Sequence, residues 1–162
     1  MRYLIFALAA SIVLVIVWHL SARRQTGQGP AVKTGLLLGR HAERLRRCAE
    51  LVGQPEADIF WDMAGHLERI RREVMSDGRD MARARRFIHH HARLIVELCE
   101  RFVALDAKAR PEQAARLQRM TDHLRAYRDV FARVEKALID NDFDDVEATM
   151  DALDIQLDRL DY

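Results

Sequence analysis

The sequence predicts an all-α protein: one N-terminal transmembrane helix followed by an antiparallel helical bundle or coiled-coil hairpin. Three observations predict it. An 18-residue uncharged run stands near the start, four later segments repeat apolar residues at alternating spacings of 3 and 4, and only 7 Gly and 3 Pro punctuate 162 residues. The alternation averages 3.5 residues, the repeat that lets helices pack with a left-handed twist. So little Gly and Pro argues against an all-β domain or a glycine-loop nucleotide fold.

The first element is the apolar run Tyr3 to Leu20, YLIFALAASIVLVIVWHL. At a helical rise of 1.5 Å per residue it reaches about 27 Å, close to the hydrocarbon thickness of a bilayer. Trp18 and His19 stand at its end, where an interfacial belt forms. Arg23, Arg24, Lys33 and Arg40 follow, and only Arg2 precedes. That asymmetry predicts a single-pass membrane protein, residues 3–20 in the lipid and the C-terminal domain cytoplasmic. The competing reading, a cleaved signal peptide, meets a poor cleavage pattern at Leu20-Ser21-Ala22. The expected division is an anchor over 1–22, a flexible linker over 23–34 and a helical bundle over 35–162. The linker rests on Gly27, Gly29 and Pro30 and on the absence of apolar periodicity.

The bundle is read in five helices. The first spans about Gly35 to Val52, mixing Leu36, Leu37 and Leu38 with a basic stretch, and Gly53 to Pro55 breaks it with a capping Gly and a Pro. The second, about Glu56 to Met75, sets Phe60, Met63, Leu67, Ile70 and Val74 on one stripe. The third starts near Arg79 and carries Met81, Ala84, Ile88, His91, Ile95, Leu98, Phe102 and Leu105. Pro111 opens the fourth, with Leu117, Met120, Leu124, Tyr127, Phe131, Val134 and Leu138. The fifth follows Asp140-Asn141-Asp142 and carries Phe143, Val146, Met150, Leu153, Leu157 and Leu160. Short connections make neighbours antiparallel, so the third and fourth are expected to form a long hairpin.

Charge is nearly balanced overall, 26 Lys+Arg against 25 Asp+Glu. That excludes a strongly basic nucleic-acid binder, and no nucleic-acid partner is expected. Locally it is uneven. Seven Arg (69, 71, 72, 79, 83, 85 and 86) meet three acids over 69–86, and nine acids meet Arg159 alone over 140–162. These segments either attract each other inside the bundle or face a partner and the lipid. The candidate partner surfaces are Arg83, Arg85 and Arg86 on the third helix and Asp144, Asp145 and Glu147 on the fifth.

No motif carries clear chemistry. His89-His90-His91 looks like a metal site, but successive helical side chains point about 100° apart. Ligand pairs on a helix need i, i+3 or i, i+4 spacing, and positions 93, 94 and 95 are Arg, Leu and Ile. His91 falls in the apolar seam as a core histidine, and a metal would need His66 or His123 brought in by folding. Asp140 to Val146 has EF-hand-like oxygens, but Asp145 stands where that loop needs Gly. Its D-x-D-x-V pattern lacks the large α/β domain a phosphatase nucleophile requires, so Asp142 is read as a helix cap. Cys48 and Cys99 begin no phosphatase loop and read as buried thiols in a reducing compartment. No catalytic residue, metal or cofactor is expected.

Arg83 to His91, continuing through Leu94, Leu98, Phe102 and Leu105, is similar to the central segment of the 5-bromo-4-chloroindolyl phosphate hydrolysis (XpaC-like) proteins. The ending, Asp142 through Glu147, Met150, Leu153, Leu157 and Asp161, resembles that family's acidic tail. The similarity covers about residues 79–162 and the layout of membrane segment plus helical domain. His90-His91 stands where the family has an aromatic pair. The resemblance implies a helical protein partner of the toxic-anion-resistance (TelA-like) type, or a phosphoester hydrolase or an accessory to one, and brings no catalytic residues with it. The expectation is therefore a helical adaptor or scaffold anchored in a bacterial inner membrane that binds a protein partner or itself.

Overall fold

The computed structural model describes residues 29, 31–140 and 144–158, with side chains throughout except at 78–80, 144, 145, 147 and 158. The apolar run 3–20 lies outside them. Among the described residues every regular element is helical, and no helix is long and apolar enough to cross a membrane.

Helix α1 covers 31–51, and residue 29 is helical as well, so helix precedes the expected Gly35 and takes in the end of the expected linker. The reason is burial: Ala31 and Thr34 face the interior, and Thr34 Oγ1 lies 3.8 Å from Met81 Sδ. The break at Gly53 and Pro55 falls where those residues place it, although no described glycine adopts a positive φ. Helix α2 is Glu56–Ser76 and α3 is Gly78–Arg83. A single π-helical turn, Phe87–His91, leads into α4, Ala92–Asp106. A 3₁₀ turn, Pro111–Gln113, precedes α5, Ala114–Asp140, and α6 is Asp144–Asp158.

The stripes read from the sequence form the core. Phe60, Met63, Leu67, Ile70 and Val74 of α2 are all buried, as are Leu124, Tyr127, Phe131, Val134 and Leu138 of α5. The ends of the seam fade: Leu117 and Met120 are half-buried and Leu105 is exposed. Edge-to-face rings lock the centre, Phe60 on Phe102 at 6.2 Å and Phe87 on Phe131 at 5.1 Å. Helix α1 adds Leu38, Ala42, Leu45 and Cys48, and with them a buried His41.

The pairing of helices corrects the expected long hairpin. Helices α4 and α5 do run antiparallel, since Phe87 meets Phe131 while Phe102 and Leu98 lie beside Met120 and Leu124. Among α2 to α6, however, the most extensive pairing joins α2 to α5. Three cross-links rise in step along both helices. Thr121 Oγ1 donates to Glu56 Oε1 at 2.6 Å, Arg128 lies 4.0 Å from Asp62, and His66 and Arg69 reach Glu135 at 2.5 and 2.6 Å. Helices α2 and α5 are thus parallel. They are the two long uninterrupted stripes, whereas the third segment is bent at Ala84 and widened at the π-turn, which shortens what it can offer α5. Helix α1 runs antiparallel to α2, with Arg46 on Glu68 and Gly35 under Met75. It is held to α4 by Arg44 and Glu100.

Candidate functional site

The π-turn and α6 meet in a seam that joins the basic and acidic segments. In a π-turn the backbone N–H reaches back five residues, here from Ala92 to the Phe87 carbonyl. Such turns are frequent at functional positions. Phe87, Ile88 and His91 point inward, and His89 and His90 stay exposed. The neighbouring rings of His90 and His91 sit edge to face, with centroids 5.1 Å apart.

Across the seam stand Asp151 and Asp154, one turn apart on α6. Arg86 donates Nη1 to Asp151 Oδ1 at 2.8 Å and Nη2 to Asp154 Oδ2. The other oxygen of Asp154, Oδ1, lies 2.7 Å from His91 Nε2 and 3.8 Å from His90 Nε2. Burial pushes the Asp154 carboxyl up, but the Arg86 and His91 hydrogen bonds outweigh it, and the group titrates below its ordinary range. Burial also dominates at His91, which is fully enclosed; its pKa is lowered despite the opposing pull of Asp154. The second nitrogen, Nδ1, has no protein partner.

This geometry revises the expected surfaces. Arg86 is half-exposed, and its charge is answered within the chain by Asp151 and Asp154. The attraction between basic and acidic segments is therefore intramolecular at this point. Arg83 and Arg85 are exposed, Arg83 with a contact of its own. The side chains of Asp144, Asp145 and Glu147 lie outside the described residues, as do 141–143 and with them the expected cap, Asp142. Asp151 and Asp154 are not among the partner surfaces read from the sequence. The only local sign was their 3-residue spacing beside the seam positions Met150, Leu153 and Leu157.

The histidines also fall differently. Neither His66 nor His123 approaches the triplet: His66 bonds to Glu135, and His123 lines a cleft with Leu98, Phe102 and Met120. The residue that folding brings in is a carboxylate. His90, His91 and Asp154 each offer a donor atom, all within 4.8 Å of one another. Cys48 and Cys99 are buried as expected, and burial pushes both thiols up, Cys48 to about 11.

A second feature lies at the end of the bundle where α1 begins. Antiparallel α1–α2 and parallel α2–α5 bring the start of α1 to the same end as the last turns of α2 and α5. Val32, Leu36, Met75 and Ile139 are large apolar residues exposed there, Leu36 by 62%. Lys33, Arg72 and Arg83 are exposed in the same region. Compared with protein families, curated proteins and solved structures, the chain matches none.

Proposed function

We propose that this protein is a membrane-anchored helical adaptor, held in a bacterial inner membrane by residues 3–20 and presenting its bundle on the cytoplasmic side to a protein partner or to a second copy. The observation that carries this reading is the mixed apolar and basic end of the bundle. It lies where α1 leads back, within about ten residues, to the uncharged run. Val32 and Leu36 are one turn apart on α1, and Lys33 stands between them. Side chains of this kind suit the headgroup region of an anionic leaflet, where apolar groups enter the interface and cations meet phosphates. Arg85, exposed on the neighbouring helical stretch, is the partner-facing cation of this reading. The resemblance to XpaC-like proteins supports a helical partner of the toxic-anion-resistance type.

Crosslinking in intact cells, followed by purification of the full chain through a C-terminal tag, tests the reading. A distinct stoichiometric partner, lost on Arg85→Glu, is the expected result. Recovery of the chain in the soluble fraction overturns the anchor, and recovery without any partner or second copy overturns the adaptor. Topology is read separately with Ala115→Cys, an exposed position on α5, and a membrane-impermeant maleimide. The two native thiols are buried and contribute little background.

A further inference from the structure

We propose that His90, His91 and Asp154 form a binding site for a transition-metal dication of the zinc class, closed when α6 docks on the π-turn. The site lies on the flank of the bundle and is independent of the adaptor reading. Four observations carry it.

The first is the donor set. Two imidazole nitrogens and one carboxylate oxygen suit zinc, cobalt or nickel, whereas calcium and magnesium take oxygen ligands. Three protein ligands leave a fourth position for water, so the site is an open one.

The second is distance. With bonds of about 2.0–2.2 Å, neighbouring donors in a tetrahedral site stand about 3.4 Å apart. Here the carboxylate Oδ1 is 2.7 Å from His91 Nε2 and 3.8 Å from His90 Nε2, and all three donors fall within 4.8 Å. An ion seats among them with sub-ångström to ångström adjustments. His90 is exposed and free to make the larger one.

The third is the backbone. Consecutive residues on a regular α-helix diverge too far to share an ion, which is why the triplet reads as unsuitable from spacing alone. The π-turn over Phe87–His91 is wider, and the two rings lie edge to face with both Nε2 atoms toward the same oxygen.

The fourth is the surrounding hydrogen bonding. Arg86 holds Asp154 by Oδ2 and so leaves Oδ1 aimed at the imidazoles. A ligating carboxylate fixed through its other oxygen is a common feature of metal sites. His91 Nε2 faces the Asp154 carboxylate and donates its proton there when no ion is bound, while Nδ1 has no protein partner. An ion takes the place of that proton on the Nε2 lone pair. Binding displaces that proton to Nδ1 or to solvent.

The test uses the full chain in detergent, without a histidine tag and stripped with chelator, and Co²⁺ as the probe. The expected result is one Co²⁺ per chain with the visible absorption of a low-coordinate site, displaced by Zn²⁺. His90→Ala and Asp154→Asn each weaken Co²⁺ by about tenfold or more, since even outer-shell changes cost that much. His89→Ala, one residue outside the cluster, leaves affinity unchanged. Zn²⁺ raises the melting temperature of the wild type and not of His90→Ala. Thermal melts in chelator identify any variant that fails to fold, and the contrast between His89 and His90 decides the matter if Asp154→Asn does. The proposal is overturned by the absence of Co²⁺ absorption, by equal losses in His89→Ala and His90→Ala, or by a folded Asp154→Asn that binds as well as the wild type.

Discussion

Arg44 grips Glu100 through two parallel hydrogen bonds, Nε to Oε1 and Nη2 to Oε2, each 2.7 Å long. The pair ties α1 to α4 across 56 residues of sequence. Both groups respond: the hydrogen bond to Glu100 raises the Arg44 pKa, and the one to Arg44 lowers that of Glu100. The pair is nevertheless partly wet, so screening limits its worth. A double-mutant cycle with Arg44→Ala and Glu100→Ala is expected to give a coupling of about 0.5–1 kcal/mol, shrinking with added salt. A coupling that stays constant up to molar salt contradicts this account.

Phe87 starts the π-turn and packs its ring edge to face on Phe131, with both side chains fully buried. Phe87→Ala removes the ring and leaves a cavity between the turn and α5. The expected loss is about 3–5 kcal/mol by denaturant unfolding. Leu117→Ala, at the half-buried end of α5, is expected to lose less than half as much. Equal losses at the two positions would mean that the core is centred elsewhere.

Much of this was legible in the residues. The stripe from Phe60 to Val74 and that from Leu124 to Leu138 could be read because burial on a helix imposes a 3-and-4 spacing. What could not be read depends on contacts far apart in sequence. Nothing local states that α2 pairs with α5. The seam positions Ala84, Ile88, His91 and Ile95 keep a regular spacing through the π-turn, so the widened turn leaves no mark on the pattern. Asp154 meets His91 across 63 residues, and one carboxylate among nine acids carries no sign of that. His41 was hidden for another reason: it stands among arginines in a segment whose leucines give no clean period.

Gly39 sits inside α1, where glycine weakens a helix. A Cβ there would meet only Arg71 Cδ, at an ordinary 3.8 Å. Gly39→Ala is expected to stabilise the protein by about 0.5–1 kcal/mol, read as a higher denaturant midpoint at unchanged slope. At Gly35 a Cβ would come within 2.7 Å of Met75 Sδ. Met75 is exposed and can swing away, so Gly35→Ala is expected to gain less.

His41 gives the fold a dependence on pH. The ring is buried on α1 with both nitrogens lacking protein partners. Burial, reinforced by Arg44, Arg40 and Arg93 and opposed by Glu97, pushes its pKa down from 6.5 to about 4. The unfolded chain therefore takes up a proton that the folded chain refuses. Its contribution to stability is complete above about pH 6.5 and is lost as pH falls toward 4. The loss is on the order of 3 kcal/mol. Chemical unfolding of wild type and His41→Leu between pH 7.5 and 4.5 checks this. Wild type is expected to lose more stability than His41→Leu on acidification, and a parallel fall would contradict it.

The parallel pairing of α2 and α5 sets a timetable for the chain during synthesis. Ser76 ends α2 and Asp140 ends α5, so the ribosome adds 64 residues, 140 minus 76, between them. At roughly 5–20 residues per second this takes on the order of seconds. Throughout that interval Phe60, Met63, Leu67, Ile70 and Val74 have been made but α5 is not complete. On the proposed topology this happens beside a bilayer to which the nascent chain is already tethered. The newborn protein must shelter this apolar stripe with α1 and then α4, whose Phe102 packs on Phe60, and the interval is the time when a chaperone has most to hold.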